Sequence, residues 1–264
     1  MKKFGVLYIC TWKYDVFRKE FYESCEKNLL ADCDIEKHYF VWTDSDKIKW
    51  SDRIHVFHQE NLWRPDNTLK RFHIFLSQEK ELEKMDYLFF FNANLEIKMP
   101  IWEEILPKER DVLVVAKHPN YFNKKNTQYT YDRNPKSIAF IKKWEWTYYV
   151  QWALNWGTSY SYLKMCKELA RRVDIDKKNW VVALWHDESH LNRYIYDLEM
   201  DAYREKFMVL PPSYLYPEDS GFSFPCKILI RDKAKYINVD KIKWHNIIKT
   251  CIFKFIKKLL SYFK

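Results

Sequence analysis

A chain of 264 residues, 47% of them hydrophobic, is long enough for one large domain and has ample apolar side chain for a core, which excludes a disordered polypeptide. The formal net charge of +9 favours anionic partners, whether a nucleotide diphosphate, nucleic acid or lipid headgroups, without choosing among them. Six cysteines (Cys10, Cys25, Cys33, Cys166, Cys226 and Cys251) are scattered with no C-x-x-C pair, so neither a zinc knuckle nor a disulfide framework is indicated, and a reducing compartment fits best.

Lys2 and Lys3 followed by Phe4 to Cys10 imitate the start of a signal peptide. The apolar run is short and no small-residue cleavage site follows, so Gly5 to Cys10 reads as a first, buried strand. Val16, Phe17, Phe21, Cys25 and Leu29 recur at helical spacing across Asp15 to Leu30, and His38 to Trp42 reads as a second strand. Strand alternating with helix predicts an α/β fold with a parallel sheet covered on both sides, whose ligands bind beyond the carboxyl ends of the strands. Thr11 to Tyr14 lies at such an end. Asp66 or Asn67 is expected to cap a helix running to about Lys84, with Lys70 and Arg71 on its first turns. Tyr87 to Phe91 is an aromatic strand that delivers Asn92-Ala93-Asn94 at its end, and Val112 to Ala116 is another strand.

Leu184 to Tyr194 carries the densest chemistry: two histidines, two carboxylates, a serine, an asparagine and an arginine in eleven positions. Leu191, Tyr194, Ile195 and Leu198 follow the spacing of one helical face, and Glu188, three residues before Leu191, points to the same side. Asp187 is the expected N-cap, placing Glu188 in the first turn, where the helix dipole favours its ionised form. An ionised, inward carboxylate suits a reacting centre with developing positive charge. The alternative is an ordinary helix start with Glu188 paired to Arg193 or a lysine.

Trp185-His186-Asp187-Glu188-Ser189-His190-Leu191-Asn192 resembles the signature of glycosyltransferase family 6, the ABO blood-group and α-1,3-galactosyltransferases, and further matches recur in order from about Gly5 to Lys233. The resemblance implies a single GT-A-type domain over residues 1–238, with a mixed, mostly parallel central sheet flanked by helices. It implies a retaining hexosyltransferase in which Glu188 is nucleophile or ion-pair stabiliser, Asp187 binds donor-sugar hydroxyls and Trp185 packs on the acceptor sugar, beside His186. Ile9, Cys10 and Thr11 would offer backbone groups to uracil and Tyr14 would stack on it. Trp63 to Phe72 is similar to the family's W-x-D...R-R pattern and assigns Arg71 to the donor, with Trp63 carried over weakly. Lys117-His118-Pro119 and Thr130-Tyr131-Asp132-Arg133 match motifs that touch acceptor galactose, through His118 and Thr130. Leu210 to Tyr216 matches a further segment, after which Arg231 and Lys233 are expected to fold over the diphosphate.

Two departures from the family pattern matter. Where animal members have Asp-x-Asp holding Mn²⁺, this chain has Asn92-Ala93-Asn94, as in some metal-independent bacterial members; neutral amides bind a hard cation poorly, so no divalent metal cofactor is expected. Asn92 and Asn94 remain candidates for ribose and phosphate oxygens. After Tyr148-Tyr149, where the family has Gly-Gly-x-x-Gly-Gly, the chain has Gln151-Trp152-Ala153-Leu154-Asn155-Trp156-Gly157. Gln151, Trp152 and Ala153 stand at the donor positions, and two indoles in place of hydrogens require either a moved backbone or a filled pocket.

Lys241 to Lys264 carries seven lysines and no acid beside a wide apolar face, a basic amphipathic helix over 239–264 that either lies on an anionic membrane surface or packs on the domain. The expected protein is cytoplasmic, and peripheral on the inner face of the cell membrane if the helix takes the first of these two places. Its expected partners are a UDP-sugar donor and an oligosaccharide or glycolipid acceptor. Aromatic residues at 19% suit sugars and nucleobases, although AT-rich codon usage would enrich them too. They do not interleave with basic residues as in a nucleic-acid module, so nucleic acid is not an expected partner. Two other readings are a degenerate member that binds sugar or nucleotide without turnover and a zinc hydrolase using His186 and His190 at i, i+4.

Overall fold

The first strand sets the frame. In the computed structural model, which describes residues 1–48, 51–143, 145, 148–200 and 206–237, β1 (Lys2–Ile9) buries Phe4 to Tyr8 on both faces. The other strands are β2 (Ile35–Thr43), β3 (Ile54–His58), β4 (Tyr87–Phe91), β5 (Leu95–Ile97), β6 (Leu113–Lys117), β7 (Val150–Thr158), β8 (Phe207–Leu210), β9 (Tyr216–Pro217) and β10 (Ile228–Ile230). The α-helices are α1 (Arg18–Asn28), α2 (Asp66–Leu69), α3 (Arg71–Leu76), α4 (Glu79–Leu82), α5 (Ser159–Lys178), α6 (Asp187–Met200) and α7 (Lys233–Tyr236).

Seven strands form one sheet in the order β3-β2-β1-β4-β7-β6-β8, in which β7 alone runs antiparallel to its neighbours. The fold is the expected α/β one with a mixed, mostly parallel sheet. The period of two along β1 and β4 divides the core. Leu7, Leu88 and Phe90 pack with Phe72, Phe75 and residues of α5 and α6, whereas Val6, Tyr8, Phe89 and Phe91 pack with Phe21 and Cys25 of α1. A smaller sheet, β5-β10-β9, pairs Ile230 with Leu95 and so delivers Arg231 to Lys233 beside Asn94.

Several expected bounds move. Residues 12–17 form a 3-10 turn before α1 instead of the start of one long helix. The helix expected from Asp66 to Lys84 is three short pieces, and Pro65, not Asp66 or Asn67, occupies the N-cap. Lys70 breaks the first junction at φ −89°, ψ 6°, and the Ser77 hydroxyl donates to the Ile74 carbonyl at 2.7 Å near the second. Such local side-chain bonds compete with helix continuation. The tail from Lys241 to Lys264 and the boundary at 238 lie outside the described residues.

Residues 150–158, to which the sequence assigns no element, form the strand β7. Its register against β6 passes from Val115↔Asn155 to Ala116↔Gln151, so Trp152, Ala153 and Leu154 bulge without β6 partners. The bulge inverts the alternation. Val150 and Trp152 enter the α3 and α5 side of the core, while Leu154 and Trp156 enter the α1 side. Trp152 packs edge-on to Phe72 at 5.0 Å; Trp156 stacks on Phe89 at 4.6 Å and its indole N–H donates to the Ile105 carbonyl. Both indoles are thus buried in the core, one on each side of the sheet. Gly157 lies at the far end of the strand, where an added Cβ would meet Ser161 Oγ at 2.5 Å and Leu113 Cδ2 at 3.0 Å. Gly157→Ala is expected to destabilise the fold by about 1–3 kcal/mol through overpacking, read as a lower urea midpoint at unchanged m-value.

Candidate active site

Glu188 sits at the start of α6, which begins with Asp187 itself; the turn before it closes through His186 at φ +53°. Asp187 is therefore the first helical residue and not the cap, and its carboxylate accepts the Glu188 N–H at 3.1 Å. Leu191, Tyr194, Ile195 and Leu198 are buried as the spacing predicts. Glu188 Oε1 accepts from the Tyr149 hydroxyl at 3.0 Å and Oε2 from the Trp152 N–H at 3.2 Å. Trp152 reaches Glu188 only because the bulge turns its N–H away from β6. Burial pushes the Glu188 carboxyl up to about 7, with the Asp187 charge adding to the rise and the two hydrogen bonds and Arg71 opposing it. The expected firmly ionised group is instead poised near neutrality. Arg193 does not pair with it, donating to the Phe140 carbonyl and bridging to Asp197 at 2.9 Å.

Arg71 ties together residues far apart in the chain. Its guanidinium pairs with Asp187 at 2.7 Å, donates to Asn92 Oδ1 at 3.3 Å and lies over the Phe90 ring at 5.3 Å. Asn92 Nδ2 donates to Asn94 Oδ1, and Asn94 Nδ2 to the Arg231 carbonyl at 2.7 Å. Burial raises the Asp187 carboxyl against the pull of Arg71. The amides therefore hold Arg71 and the strand after β10. Both amide oxygens already accept hydrogen bonds, and among the described residues no group of three His, Cys, Asp or Glu is placed to hold a metal ion. Such a neutral donor set does not fit a hard divalent cation.

At the end of β1 the Cys10 N–H donates to the Trp42 carbonyl and the Cys10 carbonyl accepts from Thr43, so its backbone groups are already paired. Burial pushes the Cys10 thiol up to about 12. Ile9 and Thr11 flank it, and the Thr11 carbonyl accepts from the Tyr14 N–H at 3.2 Å. Lys233 Nζ lies over the Tyr14 ring at 5.1 Å. Burial, reinforced by the Arg71 and Arg64 charges, brings the Lys233 ammonium down to about 8. Arg231 behaves differently. At 3% exposure its guanidinium donates to the Phe17 and Leu95 carbonyls, turned into the fold rather than toward Lys233, because the β5–β10 pairing faces it inward. Arg64, which no sequence motif assigns to the site, is exposed and acts electrostatically on Tyr14, His186 and Lys233. Its signal was its place between Trp63 and Pro65.

Thr130 and Trp185 meet: the Trp185 indole N–H donates to Thr130 Oγ1 at 3.0 Å, with the indole half exposed. His118 lies edge-on to Tyr149 at 5.6 Å, and burial pushes it down to about 4. His186 is on the other side of the site, its Nδ1 3.0 Å from Thr68 Oγ1, and burial together with the Arg64 and Arg71 charges pushes it down to about 4. Gln151 pairs with Ala116 in the sheet, and the Ala153 carbonyl accepts the Asn92 N–H at 2.9 Å. His190 is fully buried, 3.6 Å from Asp176, and does not converge with His186 on a zinc site. Tyr149 was the main omission; it stood in the sequence only as half of a Tyr-Tyr pair. Asp132 was another, its carboxylate receiving the Leu184 N–H at 2.8 Å just before Trp185.

A family model described as "Glycosyltransferase family 6" matches residues 3–244. The chain belongs to glycosyltransferase family 6. It is 33% identical over 243 residues to the O-antigen biosynthesis glycosyltransferase WbnI of Escherichia coli, covering 90% of this chain and 99% of that protein. It is 26% identical to histo-blood group ABO system transferase 2 of Rattus norvegicus, covering 90% of this chain and 69% of that one. It is 27% identical to the human globoside alpha-1,3-N-acetylgalactosaminyltransferase 1, covering 81% of this chain and 61% of that one. This family 6 member is thus a hexosyltransferase with a GT-A-type domain. No helix among its described residues is long and apolar enough to cross a membrane.

Proposed function

We propose that this family 6 enzyme transfers a hexose or N-acetylhexosamine of galactose type from a UDP-sugar to a β-galactoside acceptor, in α-1,3 linkage, with retention and without a metal. The reading rests on the seat of Glu188, between a ring of acceptor-type contacts (Trp185, Thr130, His118) and a group of cations (Arg71, Lys233, Arg64). Donor diphosphate binds beyond the carboxyl ends of β1 and β4, against Lys233 and Arg71, and Asp187 takes a hydroxyl of the sugar. As the glycosidic bond breaks, charge grows on the diphosphate, where the cations stabilise it, and on the anomeric carbon, where ionised Glu188 faces it. The acceptor hydroxyl then enters on the face the diphosphate leaves and passes its proton to the departing diphosphate oxygen, giving an α-linked product and UDP.

The test is incubation with UDP-galactose and UDP-N-acetylgalactosamine, with and without lactose, followed by product stereochemistry. Retention is expected, and inversion rejects the mechanism. In excess EDTA the rate is expected to stay within about twofold of the control, because fixed cations occupy the electrostatic role of the metal. Activity lost to chelator and restored by Mn²⁺ overturns the metal-free reading.

A further inference from the structure

Tyr149 lies between the acceptor contacts and Glu188. It is 2% exposed, and its ring is held by Tyr121 at 4.5 Å, Tyr131 at 5.2 Å and His118 at 5.6 Å. Thr130 has one proton and two lone pairs. The proton goes to Tyr149 Oη at 3.3 Å; the lone pairs take the Trp185 indole N–H at 3.0 Å and, with that proton committed, the Tyr121 hydroxyl at 2.8 Å. The Tyr149 proton then points to Glu188 Oε1 at 3.0 Å. Every proton along this chain is directed at the carboxylate.

We propose that Tyr149 is a positioning residue that couples acceptor docking to the charge on Glu188, through the chain Trp185–Thr130–Tyr149–Glu188. The proposal rests on the roles proposed above for Glu188, Thr130 and Trp185. Hydrogen bonds in a directional chain polarise one another, so a donor held more firmly at one end strengthens the bond at the other. An acceptor sugar stacked on the half-exposed Trp185 immobilises its indole N–H on Thr130, which makes Tyr149 a better donor and favours the ionised carboxylate. By linkage, ionised Glu188 tightens acceptor binding by the same factor. The other groups facing Glu188 are the Trp152 N–H from β7, Asp187 on α6 and Arg71 from α3, and none of their bonds runs to Trp185 or Thr130. With burial holding the carboxyl near 7, a small change in the chain alters the ionised fraction at neutral pH.

The experiment titrates Glu188 directly in the full chain, by the ¹³C carboxyl resonance of labelled glutamate, assigned by its loss in Glu188→Gln. Tyr149→Phe removes the donor with little change in packing and is expected to raise the midpoint by roughly one pH unit, the effect of one hydrogen bond to a charged group. Thr130→Val, which leaves Tyr149 in place, is expected to raise it by less, and it serves should Tyr149→Phe fail to fold. Lactose is expected to lower the wild-type midpoint, and to bind about fivefold more tightly above the titration than below it. In Tyr149→Phe both effects disappear. A midpoint unchanged by either substitution, or unmoved by lactose in the wild type, overturns the proposal. The titration needs no turnover, so it stands apart from the functional reading, which fails separately if Glu188→Gln transfers sugar at the wild-type rate.

Discussion

Glu188→Gln is expected to lower turnover on the order of 10²-fold or more while leaving affinity for the sugar nucleotide nearly unchanged. Glutamine keeps the size of the side chain; its one carbonyl oxygen can accept from the Trp152 N–H and its amide NH₂ can donate to the Tyr149 oxygen, in place of the two bonds that hold Glu188 at 3.0 and 3.2 Å. It cannot carry the charge that faces the anomeric carbon. Single-turnover rates and donor affinity measured side by side decide the matter, and equal turnover returns Glu188 to a structural role. A second consequence concerns stability. The folded carboxyl titrates near 7 rather than 4.5, so the folded state holds the proton more tightly than the unfolded chain. Stability contributed by the neutral form is complete below about 4.5 and is lost as pH rises through 7. Glutamine mimics the neutral form at every pH. Glu188→Gln is therefore expected to be more stable than the wild type at pH 8, by about 3 kcal/mol, and equally stable at pH 4. A gain in stability together with a loss of rate marks a residue retained for chemistry.

Arg71→Met is expected to remove both donor binding and several kcal/mol of stability. Arg71 is 15% exposed at its side chain and Asp187 7%, so deleting the cation leaves a buried carboxylate without its partner, at a cost of about 3–5 kcal/mol. The same substitution frees Asn92 Oδ1 and takes a charge from the region proposed for the diphosphate. Arg71→Lys is expected to recover part of the stability and little of the binding, since an ammonium cannot span Asp187 and Asn92 as the guanidinium fork does. Adding Asp187→Asn to Arg71→Met is expected to restore stability without activity, because no buried charge is then left unpaired. Chemical denaturation and sugar-nucleotide titration of the four proteins give both quantities. An Arg71→Met protein with the wild-type midpoint would show that water reaches Asp187 and that the pair is not a buried one.

Much of the architecture could be read in advance because its signals are local. Tyr87 to Phe91 is a strand with the predicted bounds, and Leu191, Tyr194, Ile195 and Leu198 line the buried face of α6, since alternation and helical spacing depend only on neighbours in the chain. The consecutive match from Trp185 to Asn192 pointed to the family, and helical spacing placed Glu188 inward. Tertiary structure decided what depends on contacts between distant segments. Trp152 and Trp156, four residues apart, share a face in any regular strand; they lie on opposite sides of the sheet because three residues of β7 bulge against β6, an event of pairing. Arg231 and Lys233 are indistinguishable as nearby basic residues, yet pairing of β10 with β5 turns one into the fold and leaves the other over Tyr14. The acidity of Glu188 also comes from the fold. A helix start alone favours its ionised form, whereas burial in the folded chain sets it near 7, against the opposing hydrogen bonds from Tyr149, the residue before β7, and from the Trp152 N–H of β7, both far from Glu188 in the sequence.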